Sequence, residues 1–171
     1  MICTIGHSTR TADAFLALLR AHGLTGVADV RTVPRSRRHP HFSREALAAF
    51  LAPHGVAYVH LPGLGGLRKP QPDSPNGGWR HEGFRGYADH MGTREFADAL
   101  EALIAFAEGR RAAVMCAEAK WWQCHRRLVA DALVALGMEV RHVMSAHDAP
   151  RHELTPFARV AGSTVHYPAL I

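Results

Sequence analysis

Lysine, cysteine and long apolar runs are all scarce in this chain. No stretch approaches the roughly 18 consecutive apolar residues that a membrane-spanning helix needs, so no membrane partner is expected. The opening residues, Met1-Ile2-Cys3-Thr4-Ile5, have neither a basic start nor an extended apolar stretch, and no secretory signal is expected. Three cysteines form an odd number without framework spacing, which excludes a disulfide scaffold and points to reduced thiols in a cytoplasm. No cofactor is expected. Lys69 and Lys120 are the only lysines, against 18 arginines.

What remains is an ordinary globular composition. The chain has 171 residues, 47% of them hydrophobic and 20% charged, which suits one domain with a real core and excludes wholesale disorder. The net charge of +5 is carried by arginine, whose rigid fork suits phosphate or carboxylate better than lysine does. An Arg- and Ala-rich chain also follows from genome composition, so the positions of the arginines say more than their number.

Short β-branched runs alternate with helical patterns. Strands are expected at 2–5, 27–30, 57–61, 112–116 and 140–144. Helices are expected at 12–22, from the N-cap Ser43 to Leu51, at 84–90, at 94–108 and at 122–136. Residues 62–83 are a loop by their glycine and proline content, and the proline-bearing tail from Ser145 is expected to wrap the surface. The alternation predicts a single α/β domain over 1–171. Its mostly parallel sheet would have about five strands with helices on both faces, in a rhodanese- or phosphatase-like layering.

In such sheets ligands bind at the carboxyl edge, which turns scattered residues into one candidate site. His7 and Ser8 follow the first strand, Arg31, Arg35 and Arg37 the second, Gly65 and Gly66 the third, and Cys116, Glu118, His125 and Arg126 the fourth. Cys116, at a strand end before a helix start and near arginines, is the candidate thiolate nucleophile; a small buried core residue is the plain alternative. Glu118 or His125 would carry the proton. His7, Ser8, Arg31, Arg35, Arg37 and Arg126 would bind an anionic substrate, with Gly65 and Gly66 admitting close backbone approach.

Cys124 begins an apolar stripe with Leu128, Ala132 and Leu136, so the core reading is favoured over a resolving thiol for Cys116. A zinc site from Cys116, Cys124, His125 and a remote His has the spacing of neither finger nor ribbon, and no metal is expected. Of Trp121 and Trp122, one is expected in the core, and an exposed one could stack on a base. The segment from Arg31 to Arg44 holds five Arg and two His without an acid. That segment carries the competing reading, a nucleic-acid-binding module gripping phosphates while Cys116 is structural.

Several motifs belong together: Thr4-Ile5-Gly6-His7-Ser8, Asp29-Val30-Arg31 with Pro34-Arg35-Ser36 and Phe42, and Tyr58-Val59-His60-Leu61-Pro62 with Leu64-Gly65-Gly66. Phe84-Arg85-Gly86-Tyr87-Ala88, Met115-Cys116-Ala117-Glu118 and Cys124-His125-Arg126-Arg127 complete the set. On these the chain, from residue 3 to about 144, resembles the prokaryotic family catalogued as domain of unknown function 488. The resemblance implies a small stand-alone soluble domain and brings no established reaction. The leading expectation is therefore a small cytosolic enzyme with a thiol/His/Arg site, a cysteine-dependent transferase or hydrolase. Its substrate would be anionic: phosphorylated, nucleotide-like or a sulfur donor.

Overall fold

The computed structural model describes residues 1–170. Five strands, β1 (Ile2–Gly6), β2 (Gly26–Asp29), β3 (Ala57–His60), β4 (Ala112–Cys116) and β5 (Val140–Val143), form one parallel sheet in the order β3-β2-β4-β1-β5. Every pairing in it is parallel, with Gly6 opposite Cys116 and Asp29 opposite Met115. The carboxyl ends of β1, β2 and β4 therefore meet in the middle of the sheet.

Alternation along each strand divides the core between two layers. Cys3, Ile5, Val27, Ala113 and Met115 pack against Phe15, Leu16 and Leu19 of α1 (Ala12–Ala21) and Leu47 and Leu51 of α2 (Arg44–Leu51). Ile2, Ala28, Val114 and Val140 face the other layer, built from α3 (Glu82–His90), α4 (Arg94–Ala107) and α5 (Arg126–Ala135). Period two in a strand requires this split, and each fully buried Leu, Ile or Phe side chain contributes about 1.5–3 kcal/mol to holding it. Thr11 and Thr93 accept backbone N–H bonds at the starts of α1 and α4. Ser43 precedes α2 as expected but makes no side-chain cap bond.

Helices thus cover both faces, as the alternation of elements requires. The fifth helix begins at Arg126, after a single 3-10 turn over Trp121–Gln123, and not at 122.

The tail from Ser145 lies mostly exposed on the surface, anchored by a few buried side chains, and it closes an edge of the sheet. Residues 140–152 fold back so that His142 N–H donates to Pro150 O and His152 N–H to Val140 O, covering the outer edge of β5. An antiparallel hairpin, β6 (Arg159–Ala161) and β7 (Thr164–His166), follows, and His152, Thr155, Val165 and Tyr167 are buried.

The reason lies on α5. Its Asp131 is fully buried and accepts bonds from His152 Nε2 (2.8 Å), the Thr155 amide (2.9 Å) and Tyr167 OH (2.7 Å), all from the tail. The 62–83 loop is fixed in the same manner. Asp89 on α3 accepts from Gln71 N, Ser74 Oγ and Asn76 Nδ2, and Asn76 Oδ1 accepts from the Tyr167 amide.

Candidate functional site

The loops after β1, β2, β3 and β4 enclose a cleft of about 910 Å³ at the carboxyl edge. Its wall includes His7, Ser8, Arg31, Arg35, Gly66, Glu118, Cys124 and His125, and Cys116 lies at its base at the end of β4. Two glycines permit this closure. A Cβ on Gly6 would overlap the carbonyl of Glu118, which crosses directly over β1, and a Cβ on Gly66 would stand 2.9 Å from His125 Nδ1. Gly65 is as tightly held, against Thr32 and the Pro62 carbonyl. His7 N–H donates to Cys116 O and Ser8 N–H to Ala117 O, so the sheet pairing runs on into the site. Ser8 adopts a left-handed backbone, φ 51°, the type of strain that collects at functional sites.

Cys116 and Cys124 face each other with Sγ atoms 2.7 Å apart. The apolar stripe explains why Cys124 is buried, but its sulfur is turned to its neighbour and to the cleft. Cys3 lies on the opposite face of the sheet. Beneath the pair lies Arg126, only 1% exposed. Its Nε donates to Cys116 Sγ at 3.0 Å, Nη1 to Thr4 Oγ1 at 3.2 Å, and Nη2 to the Glu118 carbonyl. No carboxylate pairs with it among the described residues.

His125 is held between Val30 O, 3.3 Å from Nε2, and Cys124 Sγ, 3.6 Å from Nδ1. Burial alone would push Cys124 up. The bond from Cys116, with His125 and Arg126 alongside, outweighs it and draws this thiol well below the ordinary range. Burial, together with the hydrogen bond and charge of Cys124, pushes Cys116 well above it. The two sulfurs therefore titrate as one unit, Cys124 giving up its proton before Cys116.

Arg31 is also buried, but it has a carboxylate. Nε and Nη2 grip Asp29 at 2.9 and 2.6 Å, Nη2 also reaches Phe42 O, and Tyr58 OH donates to the same carboxylate. Its Nη1 donates to His7 Nε2 at 3.3 Å, while His7 Nδ1 donates to Ser8 O and the ring stacks on Phe42. Burial holds His7 down at about 4, so it is neutral and both its nitrogens are engaged.

The expected anion clamp is thus divided. Arg31 and Arg126 have their donors committed inside the protein, Arg35 stands exposed at the cleft, and Arg37 is exposed on the same loop without reaching it. Glu118 reaches Arg126 through its main-chain carbonyl, and its side chain is exposed at the wall.

One network was not visible in the sequence. His152 Nε2 bonds Asp131 (2.8 Å), His152 Nδ1 bonds His142 Nε2 (2.9 Å), and His142 Nδ1 bonds Thr4 Oγ1 (2.7 Å). Thr4 also accepts from Arg126, so one hydrogen-bonded chain runs from Arg126 to Asp131. Burial, with the charges of His152 and Arg126, lowers His142 to about 3 and keeps it neutral. The signal available was a single acid within the apolar run from Leu128 to Ala135 of α5. Trp121 stacks on His142 at 4.0 Å, and Trp122 stands exposed at the cleft mouth.

Among the described residues no group of three or more His, Cys, Asp or Glu side chains is placed to hold a metal ion. No helix is long and apolar enough to cross a membrane.

Comparison with curated proteins and with solved structures finds no match in either. A family model does match, over residues 11–133, a narrower span than the motifs suggested but one that holds Arg31, Gly66, Cys116, Cys124 and Arg126. The chain belongs to the family that this model describes, Domain of unknown function DUF488.

Proposed function

We propose that the protein is a thiol-dependent enzyme that reduces a sulfur–sulfur bond of a small anionic substrate in the cytoplasm, its reacting centre being the Cys116–Cys124 pair. One observation carries this reading. A buried guanidinium with no carboxylate of its own faces two sulfurs 2.7 Å apart at a large cleft. A cation buried in this way needs an anion close by, and a shared S–H···S⁻ pair supplies one.

The chemistry balances with an external thiol as the reductant. The Cys124 thiolate attacks one sulfur of a substrate disulfide or sulfur donor, a new S–S bond forms, and the leaving thiolate departs with the electron pair. The neighbouring Cys116 thiol gives its proton, through water, to Glu118 at the cleft wall and attacks the mixed disulfide. Two electrons pass from the dithiol to the substrate, leaving a Cys116–Cys124 disulfide that an external thiol reduces. A second cysteine so close has no part to play in phosphoryl transfer, which favours the sulfur substrate over the phosphorylated one. Arg35 is the exposed cation that meets the substrate's charge.

The test is the pH dependence of alkylation in metal-free protein, with Cys3 followed in the same digest. The expected result is a first midpoint for the pair well below the free-thiol value of about 8.5. A pair that reacts only at or above that value overturns the reading. The exposed Arg35, Arg37, Arg38 and Arg44 would then favour the nucleic-acid module, whose binding should fall steeply with salt.

A further inference from the structure

Exposed apolar side chains are few and unevenly placed. Among the described residues seven large ones are exposed, and three of them, Val33, Leu67 and Trp122, line the mouth of the same cleft. They come from three different loops, those following β2, β3 and β4. Leu67 is the extreme case, 88% exposed and held at φ 61°. A left-handed backbone costs a leucine about 1 kcal/mol or more, and water gains nothing from its side chain. Folding gives no reason for a leucine there, whereas a ligand surface does.

The loop that presents Leu67 is fastened on both sides. Thr32 Oγ1 donates to Gly66 O at 2.8 Å, Arg68 Nε donates to Gly65 O at 3.1 Å, and Gly66 lies against the His125 ring. Trp122 is likewise braced, edge-on against Trp121, which is stacked on His142. Apolar groups held on fixed backbone are preorganised to bind. At the same mouth Arg35 is exposed and His39 half-buried. A cleft of about 910 Å³ accommodates a molecule far larger than a bare sulfur anion.

We infer that the substrate is an amphiphilic anion, its apolar and preferably aromatic body seated on Leu67, Val33 and Trp122 and its negative group on Arg35, with its sulfur–sulfur bond extending to the thiol pair. This rests on the thiol reading of the site and names the class of molecule the site takes.

Four small disulfides test it in single-turnover kinetics with the reduced protein. Dithiobis(nitrobenzoate) is aromatic and anionic, dithiodipyridine aromatic and neutral, dithiodiglycolate anionic without a ring, and hydroxyethyl disulfide neither. Comparing each variant with the wild type on the same probe cancels the probe's own electrophilicity. Leu67→Gly, which relieves the left-handed backbone, and Trp122→Ala should each lower the aromatic-to-aliphatic rate ratio about ten-fold. Arg35→Ala should lower the anionic-to-neutral ratio to a similar degree. Leu136→Ser, an exposed apolar residue outside the cleft, should change neither ratio. A wild-type protein that reacts with all four probes, with ratios unmoved by the mouth variants or moved equally by Leu136→Ser, overturns the inference and leaves the thiol reading intact. A wild-type protein inert to all four defeats the thiol reading, and the inference fails with it.

Discussion

Replacing Arg126 by methionine removes the cation under the thiol pair while keeping most of the side chain's volume. The guanidinium Nε stands 3.0 Å from Cys116 Sγ, and its backbone amide 3.5 Å from Cys124 Sγ. Opposite unit charges about 4 Å apart attract by about 4 kcal/mol at an effective dielectric of 20. At 1.36 kcal/mol per pKa unit this corresponds to roughly 3 units. The first thiol midpoint in Arg126→Met should therefore rise by at least about 2 units, to the free-thiol value or above it. The assay is alkylation by iodoacetamide, a neutral reagent, across pH, with Cys3 as the internal reference because burial alone raises it on the far face of the sheet. Stability provides an independent check. In the wild type the native pair releases its first proton below the unfolded value of about 8.5. Stability should rise with pH through the native midpoint and be complete at the unfolded one. Above that value the unfolded chain loses a second proton that native Cys116 retains, and stability should fall. Arg126→Met should flatten the rising limb. A folded Arg126→Met protein whose midpoint stays where the wild type has it would refute the assignment of Arg126 as the counterion of a thiolate.

Three further outcomes follow from the geometry. His7 and His142 are buried and held neutral near 4 and 3, against about 6.5 in an unfolded chain, so the unfolded state binds more protons below 6.5. Urea denaturation should show stability intact above pH 6.5 and lost progressively toward pH 4, by roughly 3 kcal/mol for each histidine; a flat profile over that range would count against both. Gly6→Ala places a methyl group on the Glu118 carbonyl, backbone against backbone, and should displace the 116–119 loop, seen as lost thiol reactivity in a protein that is destabilised but still helical by circular dichroism. Asp131→Ala leaves His152, the Thr155 amide and Tyr167 OH as buried donors without an acceptor. At about 1–3 kcal/mol each it should cost at least about 3 kcal/mol and make the tail from 145 the first site of limited proteolysis; Asp131→Asn should cost less.

The sheet was legible because each of its strands is a short β-branched run closed by a turn, and the carboxyl-edge rule then gathered His7, Arg31, Gly66, Cys116 and His125 without any knowledge of strand order. What the sequence did not show depends on direction and not on position. The stripe from Cys124 through Leu128 and Ala132 places that residue on the buried side of α5, but periodicity cannot say that its sulfur turns back to Cys116. Arg31 lines the cleft and Arg126 lies against the thiol pair, yet their burial, which turns a binding fork into an internal strut, depends on Asp29 in one case and on Thr4 and the Glu118 carbonyl in the other. The role of the tail was hidden for a similar reason. Asp131, His152 and Tyr167 are far apart in sequence and carry no shared spacing, and they meet only once α5 is packed on the sheet.

The two buried arginines also bear on where negative charge resides in this site. Arg31 is neutralised locally, by two parallel bonds to Asp29. For Arg126 the nearest carboxylate along the hydrogen-bonded chain is Asp131, beyond Thr4, His142 and His152. Asp131 is therefore joined to Arg126 only through this chain and is not its contact ion. A neutral thiol pair would leave a guanidinium buried against sulfur, a hydroxyl and a carbonyl, at a desolvation cost of several kcal/mol. A deprotonated Cys124, bonded to the Cys116 Sγ that stands 3.0 Å from Nε, offsets that cost. On the proposed thiol chemistry, the negative charge shared by Cys116 and Cys124 would balance the cation below and ready a nucleophile above, which would place the stability of the core and the reactivity of the cleft under one titration.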